Sequence, residues 1–266
     1  MENPFLTVIF QVLPEPHASL LGGMVFGSQS AVLPPDIKEL LINTGTIHIV
    51  ALSGQNISIL IRLFSEVTLW LGRRISLLIS FIGIIGFIFL VGGEPTLIRA
   101  AIMGSISLIA VYFGRQSWSL LSLILAAGIM LIIYPGWIDN ISFQLSFAAT
   151  LGIILLVPSI HSQNKGYMWI INDLVQALHI TLAAQLFTLP IIVAHFERVS
   201  LVAPLTNVLI SWTIMPLMVF GIAVSLIGIV SLTLAQIVSW VCWALLSYLL
   251  FIVEVTARLP FASIDL

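Results

Sequence analysis

A cluster of polar residues opens the first long apolar segment of the chain, with the sequence HIVALSGQN over residues 48–56. An imidazole, a hydroxyl and two amides lose hydrogen bonds to water when they enter a membrane, and protein groups or trapped water must replace them. We therefore expect this cluster to lie inside a helix bundle or along a path through it. Gly54 within the cluster carries no side chain, which allows the backbone to bend or another helix to approach.

A lone arginine poses the same problem in a later apolar segment. Arg99 follows Pro95 by about one helical turn, and its nearest acidic neighbour in the sequence is Glu94. An arginine inside a span costs about 3 kcal/mol unless a carboxylate, carbonyl groups or water compensate it. Two interpretations follow, namely a helix-end arginine that reaches the outer membrane interface, or a cation that lines a path for an anionic substrate.

The first apolar segment also carries an acid–base pair. Arg62 and Glu66 are four residues apart, and with His48 and Gln55 they are predicted to share one stripe of a helix. Arg62 and Glu66 can form an ion pair, although this order of charges adds little to helix stability. Alternatively, both side chains lie near the cytoplasmic end of the span and extend to water.

Small polar residues recur in the fifth apolar segment. Ser142, Ser146 and Thr150 are spaced by four residues and predict a small-residue face against a neighbouring helix. Gln144 lies off that stripe and has no obvious partner in the sequence. Pro204, Asn207 and Pro216 interrupt the seventh segment. We therefore expect it to be either one broken helix or two half-helices.

The composition identifies the class of protein that holds these residues. Of 266 residues, 60% are hydrophobic and 8% are charged, and the mean hydropathy is +1.18. Soluble domains carry about 25% charged residues, so this chain is predicted to be a multi-span membrane protein. The single cysteine, Cys242, excludes an intrachain disulfide, and the net charge of −2 provides no polycationic surface for nucleic acid.

The predicted fold is an all-α polytopic transmembrane helix bundle. Residues 1–44 are interrupted by prolines and are expected to form an interfacial or amphipathic segment that lies along the membrane surface or tucks into the bundle. Residues 45–266 are expected to form the transmembrane domain, since a span needs about 20 apolar residues. Eight candidate spans run near 46–71, 75–92, 96–113, 117–134, 141–158, 173–195, 201–229 and 233–258.

Loop charge predicts the orientation of these spans. Arg73, Arg74, Arg115 and Lys165 all fall in loops on one side of the bundle. The excess of basic residues in cytoplasmic loops places this side in the cytoplasm and the N-terminus outside. The expected location is therefore the inner (plasma) membrane, with multiple passes.

Four blocks of the sequence resemble the ComEC-type competence family. They are HIVALSGQN at 48–56, the pattern P-x-x-x-R-A-x-x-M at 95–103, the string FQLSFAATLGI at 143–153, and a closing block from Asn207 to Pro216. The blocks occur in the family's order and extend over nearly the whole chain. In the closing block, ISWTIMP replaces the simpler aliphatic run that the family has before its proline.

The resemblance implies a role in DNA uptake. Members of this family are inner-membrane proteins implicated in moving single-stranded DNA into the cytoplasm during natural transformation. The implied partners are single-stranded DNA, other competence-machinery proteins, membrane lipid and further copies of the chain. By motif position and polarity, the candidates for the DNA path are His48, Ser53, Asn56, Arg99, Gln144 and Asn207. The residues of the motifs expected to be structural are Gly54, Arg62, Glu66, Ser146 and Pro216.

We expect the chain to be non-enzymatic, without a cofactor or metal. No nucleophile–base set and no His-x-His-x-Asp-His cluster is visible in the sequence, and its histidines are scattered. We also expect it to lack the outer oligonucleotide-binding domain and the metallo-β-lactamase-like domain that many family members carry. The alternatives are a secondary transporter of a small solute, which inverted repeats would favour, and a truncated family member without transport activity.

Overall fold

Long helices account for most of the architecture. The computed structural model describes residues 3–27, 30–50, 54–157, 168–196, 198–260 and 262–265. The helices in chain order are α1 (Pro4–Val12), α2 (His17–Phe26), α3 (Pro35–Asn43), α4 (Gly54–Thr68), α5 (Arg73–Val91), α6 (Pro95–Tyr112), α7 (Ser119–Ile133), α8 (Ile141–Leu156), α9 (Met168–His195), α10 (Ala203–Val230) and α11 (Leu232–Ala257). Short 3-10 turns lie at Ile47–Ile49, Leu69–Leu71 and Pro135–Asp139, and two strands, β1 (Arg198–Ser200) and β2 (Ser263–Asp265), form one antiparallel pair.

Helices α4 to α11 occupy the positions of the eight predicted spans, which confirms the all-α transmembrane fold class. Within the described residues, five helices are long and apolar enough to cross a membrane, and they are α5, α6, α9 from Leu174, α10 and α11. Helices α4, α7 and α8 have 15, 15 and 16 residues. The surface of the bundle carries large apolar side chains such as Phe89 and Ile132, which are 86% and 83% exposed. Such a surface suits lipid contact.

Local sequence signals account for several helix ends. α6 begins with Pro95, which suits the first turn because it has no N–H to leave unpaired. α8 begins after Asn140, whose side-chain oxygen accepts a hydrogen bond from the Phe143 N–H at 3.1 Å. At the other end of α6, Nη2 of Arg73 donates to the Val111 carbonyl at 3.3 Å, so a cation caps the negative end of the helix dipole.

The seventh predicted span is one continuous helix, α10, with Pro216 in its interior. The proposal of two half-helices is therefore wrong. A proline inside a helix removes one backbone hydrogen bond and crowds the preceding turn. In a helix of 28 residues this loss is small beside the packing of its buried side. α9 likewise runs through Pro190.

Two predicted helix starts differ from the structure. The first span was predicted from residue 46, but α4 begins at Gly54, and His48 lies in the separate 3-10 turn before it. His48 therefore does not share a helical stripe with Arg62 and Glu66. The sixth span was predicted to begin at an Asn172-Asp173 cap, but α9 begins at Met168, so both residues lie inside the helix.

The first two helices pack into the bundle against α10 and α11. All residues of α2 from Ala18 to Phe26 are buried. On α10, Gly228 contacts Val8 of α1, and a methyl group added at Gly221 would lie 2.8 Å from Cγ2 of Val25. These two glycines allow the close approach of α1 and α2 to α10. α1 and α2 are therefore held against α10 by direct packing.

Polar contacts join several chain segments at one end of the bundle. Nη1 of Arg198 in β1 donates to Oδ1 of Asn43 at the end of α3, with an N–O distance of 2.7 Å. Strand β1 also pairs with β2, with Val199 opposite Ile264. The end of α3, the end of α9, the start of α10 and the segment after α11 therefore meet at the same end of the bundle.

Candidate functional site

The starts of α4 and α6 lie against each other, and Gly54 is the point of contact. Gly54 is the first residue of α4. A methyl group added there would lie 3.0 Å from Nη2 of Arg99 and 3.5 Å from Cβ of Ala100. The missing side chain at Gly54 thus provides the space in which the Arg99 guanidinium contacts the first turn of α4. This contact gives a physical reason for a glycine in the polar motif.

The Arg99 guanidinium is buried between helices. The residue is 7% exposed, and its Nε has no hydrogen-bond partner among the described residues. The same part of the chain provides no ion pair for it, since the ion pairs there join Arg62 to Glu66 and Arg258 to Glu254. Arg99 is therefore a buried cation that no described acidic side chain compensates.

Glu94 does not provide the missing charge, although it is the acidic residue nearest to Arg99 in the sequence. It precedes α6 and is half-buried. No ion pair joins the Glu94 carboxylate to the Arg99 guanidinium, and burial raises the pKa of the Glu94 carboxyl. The positive charge of Arg99 is thus held in the bundle without help from Glu94.

An aromatic pair on α8 forms another wall of this site. The guanidinium carbon of Arg99 lies 5.9 Å from the ring centroid of Phe147, within the range of a cation–π contact. The Phe143 and Phe147 ring centroids are 4.3 Å apart. Gln144 and Ser146 of this string were predicted as functional or structural residues, whereas neither phenylalanine was. The available signal was two aromatic residues one helical turn apart within a motif.

Asn56 lies in the first turn of α4 but is directed at α2. Its side chain is 3% exposed, and Nδ2 donates to the Met24 carbonyl at 3.1 Å. Met24 belongs to the last turn of α2, whose final carbonyls lack helical partners. Asn56 therefore joins the end of α2 to the start of α4 and holds the first turn of α4 in position.

Three further residues predicted for the DNA path, Gln144, His48 and Asn207, make no hydrogen bond to Arg99. Nε2 of Gln144 donates to a backbone carbonyl in the turn before α8 at 2.8 Å. His48 is exposed, with Nδ1 3.0 Å from the Gly45 carbonyl oxygen. Asn207 is half-buried on α10 and makes no hydrogen bond through its side chain within the described ranges. Ser53 lies outside the described residues.

The residues predicted to be structural have varied surroundings. Nε of Arg62 and Oε1 of Glu66 are 2.8 Å apart, and their side chains are 65% and 59% exposed. The Ser146 carbonyl accepts a hydrogen bond from Oγ1 of Thr150 at 2.9 Å.

Within the part of the chain that the structure describes, no three His, Cys, Asp or Glu side chains form a group that could hold a metal ion.

Comparison with known proteins places these features in a family context. A family model described as competence protein matches residues 24–266. ComE operon protein 3 of Bacillus subtilis (strain 168) is 29% identical over 202 residues, which cover 74% of this chain and 25% of the relative. An uncharacterized protein of Aquifex aeolicus (strain VF5) is 28% identical over 218 residues, which cover 81% of this chain and 48% of the relative.

A third relative, the uncharacterized protein YcaI of Escherichia coli (strain K12), is 25% identical over 234 residues, which cover 81% of this chain and 30% of the relative. The chain thus spans less than half the length of each of these relatives. No solved structure matches it. The matched region begins inside α2 and includes both the α4 start and Arg99.

Proposed function

Because the chain belongs to the competence protein family, we propose that it is an inner-membrane component of a channel that takes up single-stranded DNA during natural transformation. The name of the Bacillus relative, ComE operon protein 3, is consistent with membership of a competence system. In this proposal the chain is not an enzyme. It provides membrane helices along which the strand passes.

One structural observation supports an anionic cargo, namely the buried Arg99 guanidinium without a described acidic partner. A buried charge that lacks a counterion destabilises a membrane protein, so its presence favours a function that uses the charge. A DNA strand carries a negative charge on each phosphate and binds in positive grooves that contain aromatic side chains. Arg99 and Phe147 together supply one cation and one aromatic face.

A single copy supplies few such groups. The whole chain has 9 lysine and arginine residues, and several of its arginines lie in loops or in exposed ion pairs. A strand with one charge per nucleotide needs compensation along its length. We therefore include partner proteins of the competence machinery, or further copies of this chain, in the proposed channel.

The test is uptake of labelled DNA into the cytoplasm of cells that lack the gene and carry a plasmid-borne copy. We expect the wild-type chain to restore uptake and Arg99→Gln to reduce it by at least about tenfold, the effect of losing one charged contact of roughly 1.4 kcal/mol or more. Arg62→Gln is the matched control, because it also removes one arginine but on the exposed side of α4. Membrane abundance of each variant is measured in parallel.

Two outcomes would contradict the proposal. Normal DNA uptake in cells without the gene would exclude the competence role. Equal uptake with wild-type and Arg99→Gln chains, at equal membrane abundance, would remove the structural support for an anionic cargo at this site.

A further inference from the structure

Two sources of positive potential meet at the start of α4. The N-terminus of a helix carries about half a positive elementary charge, because its first N–H groups point along the axis without helical acceptors. α4 has 15 residues, and the Arg99 guanidinium contacts its first residue, Gly54. The full charge of the guanidinium and the partial charge of the helix end repel each other, and the described residues place no acid between them.

The Arg99 guanidinium has hydrogen-bond donors that the described residues do not use. A guanidinium has five N–H donors, and the buried Nε of Arg99 has no acceptor in the described part of the chain. Burying such a group costs several kcal/mol unless a counterion is supplied. The described acid on α4, Glu66, lies three turns away and already pairs with Arg62.

The geometry of the donors selects the chemistry of the ligand. A planar guanidinium matches the spacing of two oxygens of a phosphate group, and helix N-termini bind phosphate through their backbone N–H groups. The Phe147 ring contacts the guanidinium and so limits its orientation. Gly54 lets the guanidinium lie directly against the first turn of α4, because an added Cβ would be 3.0 Å from Nη2.

We propose that Arg99 and the first turn of α4 form a binding site for a phosphate oxyanion, and that the natural ligand is a phosphodiester of a nucleic acid strand. The first part stands on the contacts at Gly54 and Arg99. The second part rests on the proposed function and deepens it, since it names the position at which the strand's backbone is held. Phospholipid headgroups and inorganic phosphate have the same chemistry and are separated by experiment.

The experiment uses the full chain purified in maltoside detergent in a buffer without phosphate, sulfate or anionic lipid. Its melting temperature is measured with increasing inorganic phosphate. Binding of a fluorescein-labelled ten-nucleotide oligothymidylate is measured by anisotropy, with competition by inorganic phosphate and by phosphatidylglycerol in mixed micelles. We expect phosphate to raise the melting temperature of the wild-type chain and to compete with the oligonucleotide.

Arg99→Gln distinguishes a ligand site from a structural role. If Arg99 holds an anion, removing its charge relieves the uncompensated burial, so the variant melts at a higher temperature than the wild type in anion-free buffer. It also binds phosphate and oligonucleotide at least about tenfold more weakly, because charge-assisted hydrogen bonds are lost. A structural role predicts the opposite shift of the melting temperature. Arg62→Gln is the control and keeps both responses.

A second variant tests the contact between the guanidinium and the first turn of α4 without changing any charge. The Cβ of Gly54→Val would lie 3.0 Å from Nη2, and its two methyl groups would push the guanidinium away from the helix start. We expect weaker phosphate binding while the circular dichroism spectrum keeps its helical signal. Normal phosphate affinity in a folded Gly54→Val chain would contradict the position that we assign to the ligand.

The remaining outcomes separate the site from the function. A phosphate response that is equal in wild type and Arg99→Gln, or absent from both, overturns the site even if cells still take up DNA through this chain. If the phosphate response depends on Arg99, and phosphatidylglycerol competes with phosphate but the oligonucleotide does not, the site stands and the nucleic acid ligand is overturned. The support that the site gives to the proposed function is then lost as well.

Discussion

Asn56 shows how a polar residue predicted for a path can serve packing instead. Its amide joins the last turn of α2 to the first turn of α4 through the Met24 carbonyl. We expect Asn56→Leu to lower the free energy of unfolding by about 1–3 kcal/mol, because the buried carbonyl loses its donor. The measurement is thermal or denaturant unfolding of the purified chain in detergent.

Asn207→Leu is the control for this prediction. Asn207 is half-buried and its side chain makes no hydrogen bond to the described residues, so the substitution should change stability by less than about 0.5 kcal/mol. Equal losses of stability in the two variants would show that the hydrogen bond from Asn56 to α2 does not stabilise the fold.

At the residue scale, Arg99 can be predicted from the sequence, but the side chains around it cannot. Arg99 could be predicted as a candidate because a cation in an apolar segment is rare and costly. Its contacts with Gly54 and Phe147 depend on which helices meet, and three segments far apart in the chain contribute to them. A single sequence does not encode these distances in its local periodicity.

At the scale of elements, the contact between α8 and α9 depends on Gly152. A methyl group added there would lie 2.5 Å from the Ala183 carbonyl oxygen and 2.9 Å from the Phe187 ring. A backbone oxygen cannot move without its helix, so we expect Gly152→Ala to lower the free energy of unfolding by about 1–3 kcal/mol. Unfolding in detergent, followed by tryptophan fluorescence, is the measurement.

Gly128→Ala in α7 is the matched control. No atom lies within 4 Å of a methyl group added at Gly128, and alanine favours a helix over glycine by up to about 1 kcal/mol. We therefore expect no loss of stability and a small gain. A loss of similar size at Gly128 and Gly152 would indicate a general effect of glycine substitution and not a helix contact.

Hydropathy predicted the helical elements well and their ends less well. Spans could be located because windows of about 20 apolar residues are unambiguous. The start of α4 was missed because residues 46–53 continue the apolar pattern without a proline or other strong local stop signal. The continuity of α10 was missed because Pro216 breaks helices by local rules, whereas packing along 28 residues outweighs one lost bond.

At the scale of the whole molecule, the alternation of helices predicts which loops share a side of the membrane. The turn before α8 lies at the same end as the starts of α4 and α6, and the turn between α6 and α7 lies at the other end, where Arg73 caps α6. The basic residues at that other end predict that it faces the cytoplasm.

Cysteine labelling tests this orientation. Ile138 is 55% exposed and Gln116 is exposed, while the native Cys242 is buried. We expect a membrane-impermeant maleimide to label Ile138→Cys in intact cells and Gln116→Cys after lysis alone. The reverse pattern would invert the predicted orientation, and labelling of both from outside would contradict the alternation.

The β1–β2 pair predicts a specific cross-link. Val199 and Ile264 are opposite each other in the antiparallel ladder, where Cβ atoms are about 4.5–5.5 Å apart. We expect the double variant Val199→Cys, Ile264→Cys to form a disulfide on mild oxidation. The readout is the gel shift of the denatured chain after reaction with polyethylene-glycol maleimide. When the cross-link has formed, the reagent modifies only the native Cys242, which denaturation exposes; without the cross-link it modifies all three thiols. The Val199→Cys, Leu259→Cys chain serves as the unpaired comparison.

The packing of α1 against α10 has a consequence for biosynthesis. Val8 contacts Gly228, a residue made about 220 positions later, and ribosomes add about 5–20 residues per second. The first two helices therefore wait about 10–40 s for the helices that bury them. During this time lipid or the insertion machinery must shield their apolar faces. A ribosome that stalls after α9 would leave a nascent chain whose first helices have no native surface to dock on.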